Sequence, residues 1–378
     1  MRFSKLSTNV SWLGVSWGKA HTNFKLNTML TNTKPSIEQT SNPNCAKPLL
    51  SDRLLSRVHH SDWLNNNLPD KCAKLIIADP PYFEVKGDFD FIWKSFDDYL
   101  IDVEKWAIEC KRLLADNGTL FWYGHAKKIA YAQIIFDKYF NLENNIAIEF
   151  NRQTKKGVEL FRCFAPVSER LLMYSNESES TNLENTLYAE SVKVFTPIIE
   201  YMKEQKRMIK EYFKMKTDSE FNDYINKLTD TKSVVSRHYF TYSQWVFPTA
   251  EIYAKLQTIN NEVFRKEYEV FRKEYEQLRR PFNNFKKLFD IMSFDQESHI
   301  TRHYKHETCK PETLTRTLIL TCSRSDDLVL VPFAGSGTEV AMAIKEGRKA
   351  IGFDLEEKYC KMSNDRIKKI LSSPQLSF

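Results

Sequence analysis

Asp79-Pro80-Pro81-Tyr82 puts a carboxylate, two backbone-stiffening rings and a phenol into one tetrapeptide, directly after the apolar run Leu75-Ile76-Ile77-Ala78. A short apolar run bounded by turn residues predicts a buried parallel strand. The tetrapeptide then falls at a strand's carboxyl end, where open α/β sheets collect their chemistry. A second junction of this kind is Leu328-Val329-Leu330-Val331-Pro332-Phe333-Ala334-Gly335-Ser336-Gly337-Thr338. There Gly335 and Gly337 permit a tight turn into a helix beginning near Thr338 and let the backbone approach a bound molecule closely. A third junction, Ala350-Ile351-Gly352-Phe353-Asp354, ends in a carboxylate 17 residues after Gly337. That is where an acid can accept hydrogen bonds from both hydroxyls of a ribose.

Strands and helices must hold these junctions together. Ser95 to Leu114 predicts an amphipathic helix with Phe96, Tyr99, Leu100, Val103, Trp106, Ala107, Cys110 and Leu114 on one stripe. Asn117-Gly118 is expected to end it, and Thr119 to Tyr123 reads as a buried strand. A further helix over roughly Lys127 to Phe140 precedes strands at Asn145–Phe150 and Arg170–Tyr174. Such alternation predicts an α/β fold with a doubly wound sheet. Four segments follow: a polar arm over 1–50, a catalytic half over 51–175 with the first junction, an inserted, mostly helical domain over 176–300, and a second half over 301–378 with the other two junctions.

The order of these junctions resembles the DNA amino-methyltransferases of the β group, in which DPPY comes first and F-x-G-x-G last. The resemblance covers about residues 55–175 and 300–370. It implies a Rossmann-like S-adenosylmethionine-dependent sheet with an inserted target-recognition domain. It also implies a methyl transfer to adenine N6 in double-stranded DNA after base flipping. The Asp in DPPY favours adenine, since relatives acting on cytosine N4 more often carry Ser there. Cytosine-N4 transfer is the nearest alternative. His306-Glu307-Thr308-Cys309-Lys310-Pro311 resembles the family's H-x-T-x-K-P segment. By that resemblance Lys310 pairs with the cofactor's methionine carboxylate, and Asp62 matches the position near its adenine. Phe333, Gly335, Gly337, Thr338 and Asp354 complete the expected cofactor site.

This reaction makes sense of the catalytic residues. An exocyclic base amine is a poor nucleophile, because its lone pair is delocalised into the ring. Acceptors against its N–H groups, here the Asp79 carboxylate and the Pro80 carbonyl, draw the nitrogen toward tetrahedral geometry. Pro81 stiffens the loop, and Tyr82 offers a face for an extruded base, returning ~1–3 kcal/mol of a flipping cost of a few kcal/mol.

Two departures from the family pattern stand out. Val331 replaces the usual Asp before Pro332, which removes a strand-end carboxylate and is expected to weaken cofactor binding; Glu339, where Thr is more usual, would offset part of that loss. The family's His-Glu pair appears as Ser168-Glu169, after Arg162-Cys163-Phe164. The Val331 change motivates a reading of another class, a DNA-binding regulator whose catalysis has decayed.

The inserted segment supplies the candidate DNA contacts. Ser219 to Tyr242 suggests two short helices around Thr229-Asp230-Thr231, like a helix-turn-helix, with Ser236, Arg237 and His238 near the base-reading face. Two ordinary packed helices are the alternative. Arg279-Arg280 are candidate phosphate contacts. The heptad Glu262-Val263-Phe264-Arg265-Lys266-Glu267-Tyr268 is followed directly by an identical copy, Glu269 to Tyr275. Phe264, Tyr268, Phe271, Tyr275 and Leu278 then predict a helical seam, lengthened by ~10 Å through the added heptad.

Composition closes off other classes. Seven scattered cysteines without a C-x-x-C pair exclude a disulfide framework and a zinc ribbon. His299, His303, His306 and Cys309 have ligand-like spacing, but the last two belong to the segment ahead of Pro311, so no metal is expected. The formal charge of +6 favours a polyanionic partner. No apolar run approaches the ~20 residues of a membrane span, and a cytoplasmic monomer or homodimer is expected, with a cognate restriction endonuclease as a candidate partner.

Overall fold

The computed structural model describes residues 53–85, 90–151, 162, 164, 168–176, 194–230, 238–242, 245–295 and 309–372. Its centre is a sheet of eight strands: β1 (Arg57–His60), β2 (Ala73–Ala78), β3 (Leu114–Gly124), β4 (Asn141–Asn151), β5 (Ser168–Ser175), β6 (Ile291–Asp295), β7 (Leu328–Val331) and β8 (Lys349–Asp354). They lie in the order β1-β8-β7-β2-β3-β5-β4-β6. Neighbours from β1 to β3 are parallel, β5 runs antiparallel to both β3 and β4, and β6 is parallel to β4. The carboxyl ends of β8, β7 and β2 therefore stand side by side, and these are the three junctions singled out in the sequence.

Strand periodicity divides the core between two faces. Leu75 and Ile77 of β2 point to one face, with Val329 and Val331 of β7 and the helices α7 (Glu312–Cys322), α8 (Thr338–Lys345) and α9 (Glu357–Ser372). Ile76 and Ala78 point to the other, with α1 (Phe96–Leu113) and α2 (Ile129–Phe136). Ser95 caps α1 by accepting from the Asp98 amide. This helix passes directly into β3, so Asn117 and Gly118 lie within the strand and do not terminate the helix as expected. Asn117 instead ties β3 to a segment distant in the chain. It is 8% exposed, and its Nδ2 donates to the carbonyls of Gln277 and Leu278.

A third apolar cluster belongs to α3 (Thr196–Tyr212), α4 (Asp218–Thr229), α5 (Ala250–Gln257) and α6 (Tyr268–Leu278). Here the tandem heptad departs from expectation. The second copy is helical within α6, but the first copy is a turn, and α6 begins only at its last residue, Tyr268. The added heptad does not lengthen the helix. Its physical cause is upstream: Asn260 Oδ1 accepts from the amides of Glu262 and Val263, at 2.7 and 3.0 Å. Gln205 of α3 then takes the Phe264 amide at 2.6 Å, and Gln257 donates to the Phe264 carbonyl. Side chains thus satisfy backbone groups that a helical ladder would otherwise use.

Among the described residues no helix is long and apolar enough to cross a membrane. The polar arm, Ser236, Arg237, His299, His303 and His306 lie outside the described residues.

Candidate active site

Asp79 follows the last residue of β2, and its carboxylate is held from two sides. Tyr82 Oη donates to Oδ1, and Lys310 Nζ lies 2.8 Å from Oδ2. Lys310 comes from the start of α7 and is only 5% exposed. Its ammonium also lies 3.2 Å from Glu169 of β5 and 4.7 Å from the centre of the Tyr123 ring on β3. Burial alone would lower the Lys310 pKa; Asp79 and Glu169 more than offset it and hold the ammonium charged. The structure thus joins Lys310 to the Asp79 carboxylate, a contact the resemblance did not suggest.

The loop after Asp79 is anchored from below. Asp90, 1% exposed, accepts from the Tyr82 amide at 2.6 Å, and its carbonyl accepts from Glu84 N at 2.6 Å. Phe83 and Glu84 take positive φ of 44° and 51°, a conformation that non-glycine residues adopt only when their surroundings impose it. Those surroundings include the Phe96 and Tyr99 rings packed against Phe83. Tyr82 is held neutral by burial and by the nearby Asp79 and Glu169 charges.

The glycine turn sits between β7 and α8. Gly335 and Gly337 have φ of 46° and 70°. A Cβ at Gly337 would come 2.5 Å from Ser363 Oγ, so that position has neither the conformation nor the space for a side chain. Ser363 Oγ donates to the Gly335 carbonyl at 3.0 Å, fixing the turn on α9. The Gly335 amide donates to Asp354 Oδ2 and the Glu356 amide to Oδ1, both at 2.8 Å. Each Asp354 oxygen has acceptor capacity left, and burial raises the carboxyl's pKa while those two amides lower it. These two acceptors fit a ribose diol, whose hydroxyls would donate to them. Phe333 projects edge-on to Trp63 and Trp106, giving the same end of the sheet an aromatic wall.

Other expected residues take different places. Asp62 caps the one-turn helix Trp63–Asn65, accepting from Leu64 N at 3.0 Å. Thr338 is fully buried, and its hydroxyl meets Ser336 and Arg366 at 3.0 Å each, so it braces the turn from behind and does not face a ligand. His238 is half-buried, with its carbonyl accepting from Val246 N. Arg279 and Arg280, expected as phosphate contacts, each sit in an ion pair. Arg279 pairs with Glu276 at 3.3 Å, and Arg280 with Glu143 at 3.1 Å. The carbonyl of Arg279 lies at Asn117, near the start of β3, six residues before Tyr123. At ~3.3 Å per residue that is roughly 20 Å from the catalytic end.

Tyr123 and Asp90 were missed in the sequence, and Glu169 was noted there only as part of a motif. Tyr123 is fully buried with an unpartnered hydroxyl. The available signal was its place at the end of a strand parallel to β2, one residue beyond Trp122, the partner of Ala78.

The profile of the DNA methylase family matches residues 73–365. The chain is 23% identical to the DNA adenine methyltransferase YhdJ of Escherichia coli K12, over 82% of each chain. It is 24% identical to the orphan methyltransferase M.BamHII of Bacillus amyloliquefaciens, over 81% of this chain and 92% of that one. Among solved structures it is similar to the PvuII DNA methyltransferase (cytosine-N4-specific), at 12% identity and a TM-score of 0.47, covering 83% of this chain and 89% of that one.

Proposed function

Starting from the premise that this chain belongs to the DNA methylase family, we propose that it is an S-adenosylmethionine-dependent methyltransferase acting on adenine N6 in double-stranded DNA. The observation that carries this reading is the Asp79 carboxylate at the end of β2, gripped by Tyr82 and Lys310 beside the glycine turn. The adenine assignment draws further support from the DNA adenine methyltransferase among the relatives.

The bound cofactor supplies an electrophilic methyl group on a sulfonium. The chain's own residues prepare the acceptor. Asp79 and the Pro80 carbonyl accept hydrogen bonds from the exocyclic amine and localise its lone pair. Tyr82, tethered to Asp79 through its hydroxyl, keeps a ring face at the base. Lys310 holds the Asp79 carboxylate in place through an ion pair at 2.8 Å, while Glu169 steadies the same ammonium from the other side at 3.2 Å. Gly335, Gly337 and Asp354 hold the cofactor's nucleoside end, with Phe333 beside it. Such positioning is worth several powers of ten in rate, because it replaces an encounter in solution.

The test is transfer of labelled methyl to mixed-sequence duplex DNA, with nucleoside digestion of the product. Wild type should yield N6-methyladenine, and Asp79→Ala should lose at least ~100-fold in rate. N4-methylcytosine as the product would overturn the adenine assignment. Cofactor-independent DNA binding with no transfer would favour the decayed regulator.

A further inference from the structure

One buried carboxyl at the site plays no part in the steps above. Glu339 lies in the first turn of α8, immediately after the glycine turn, and is 5% exposed. Among the described residues it has no ion-pair partner. Its pKa is pushed up to about 7, by burial first and then by Asp79, against the opposing pull of its own amide, Lys310 and Arg366. Neither cation is free to serve it: Lys310 lies between Asp79 and Glu169, and Arg366 pairs with Glu312 of α7. Across the same interior the fully buried Tyr123 hydroxyl is also unpartnered, and Glu339 is the charge that acts on it most strongly.

The balance of charge is the informative point. Lys310 is the ammonium that pairs with Asp79 and Glu169, and Glu339, buried just behind the glycine turn, has no cation of its own among the described residues. A protein interior holds such an excess of carboxyls only if one stays neutral or a cation joins them. The proposed reaction brings that cation. Its methyl must come within ~3–3.5 Å of the amine that Asp79 holds, so the sulfonium charge arrives beside Asp79, the carboxylate that Glu339 already senses.

We propose that Glu339 is a specificity residue that favours the positively charged sulfonium cofactor over its neutral thioether product. The assignment rests on the methyltransferase reading above. In the transfer the S–CH3 bond breaks with its electron pair left on sulfur, the N–CH3 bond forms, and the methylated amine passes one proton to water. Sulfur is then uncharged, Glu339 loses its counter-charge, and the product is held less tightly than the cofactor.

Calorimetry on the full chain tests this with S-adenosylmethionine, with sinefungin, which carries an ammonium in place of the sulfonium, and with S-adenosylhomocysteine. Glu339→Gln should weaken binding of the two cations about tenfold and of the thioether less than twofold. Near pH 7 the wild type should also release a proton on binding either cation but not the thioether, read from heats in buffers of different ionisation enthalpy. Equal losses for all three ligands, or none, would overturn the assignment. The proton release depends on no variant, so wild type binding both cations without it would do the same. A wild type that binds none of the three would overturn the methyltransferase reading as well.

Discussion

The catalytic end of the sheet and the helical segment Thr196–Leu278 handle charge in opposite ways. In the helical segment charges lie outside: Arg207 is 57% exposed and meets Glu204 and Glu211 at 2.5 Å. Lys206 and Lys210, half-buried along their stems, reach outward to share the exposed Asp218. Its interior is aromatic, built on Phe221, Phe240, Tyr253, Phe264 and Phe271. At the DPPY end of the sheet Lys310 and Glu339 are buried, and the half-buried Asp79 and Glu169 close over the ammonium. Exposed pairs contribute about 0.2–1 kcal/mol, whereas removing one partner of a buried pair costs ~3–5 kcal/mol. Apolar packing therefore holds the helical segment, while the catalytic end spends stability on keeping charges where chemistry needs them.

Lys310→Met should sharpen that contrast most. It leaves the half-buried Asp79 and Glu169 side by side without their cation, so the expected cost is ~2–4 kcal/mol with at least a ~100-fold loss of methyl transfer. Arg207→Ala, which removes two exposed ion pairs, should leave stability close to wild type. Denaturant unfolding of both variants beside a transfer assay checks this. Equal destabilisation would erase the distinction between the two regions.

In the helical segment the large effect belongs to an apolar residue. Phe271 is fully buried and packs on the rings of Tyr201, Phe247 and Tyr253. Phe271→Ala should cost ~3–5 kcal/mol through lost transfer energy and the cavity left behind. Under conditions where the variant stays folded, its affinity for S-adenosylmethionine should match wild type. A weakened affinity would show that the two regions are not independent.

Glu339→Gln should move stability the other way. A carboxyl raised to about 7 in the folded protein, from an ordinary 4.5, favours the folded state below the lower value. That contribution is lost as pH rises through about 7. Above pH 8 the charged carboxylate is a burden, and the Gln variant should be more stable than wild type by ~1–3 kcal/mol. Near pH 4 the difference should nearly vanish. Thermal melts at the two pH values decide it; a pH-independent difference would mean that packing, not charge, sets the effect.

The same contrast explains what was legible in the sequence. β2, β7 and β8 announced themselves because a buried parallel strand is a continuous apolar run and its end falls at Pro, Gly or Asp. Asp79, Gly335, Gly337 and Asp354 followed from those ends. Glu169 did not, because its place depends on antiparallel β5 lying beside β3, with Leu171 opposite Tyr123. That pairing joins segments far apart in the chain, and no local pattern encodes it. Where Arg279 and Arg280 stand was unreadable for the same reason, since only the tether to Asn117 reveals which end of the sheet they occupy. The heptad shows the limit most plainly, since identical residues take two conformations.

That pair of heptads allows the smallest and cleanest test. Val263 in the first copy is 3% exposed, while its counterpart Val270 in the second is 48% exposed. Both are followed by the same Phe-Arg-Lys-Glu-Tyr, so local sequence predicts equal effects of Val→Ala. The structure predicts otherwise. At ~0.8 kcal/mol per buried methyl or methylene, Val263→Ala should cost about 1–2 kcal/mol. Val270→Ala, on the exposed side of α6, should stay within ~0.5 kcal/mol, because alanine's better helix propensity offsets part of the lost contact. Asn260→Ala carries the argument one step further: without the acceptor for the Glu262 and Val263 amides, the first copy loses what distinguishes it from the second. Val263→Ala should then cost less in that background than alone, a coupling that a double-mutant cycle in urea measures directly. Additive costs would mean that the turn is held by Gln205 and Gln257 and not by Asn260.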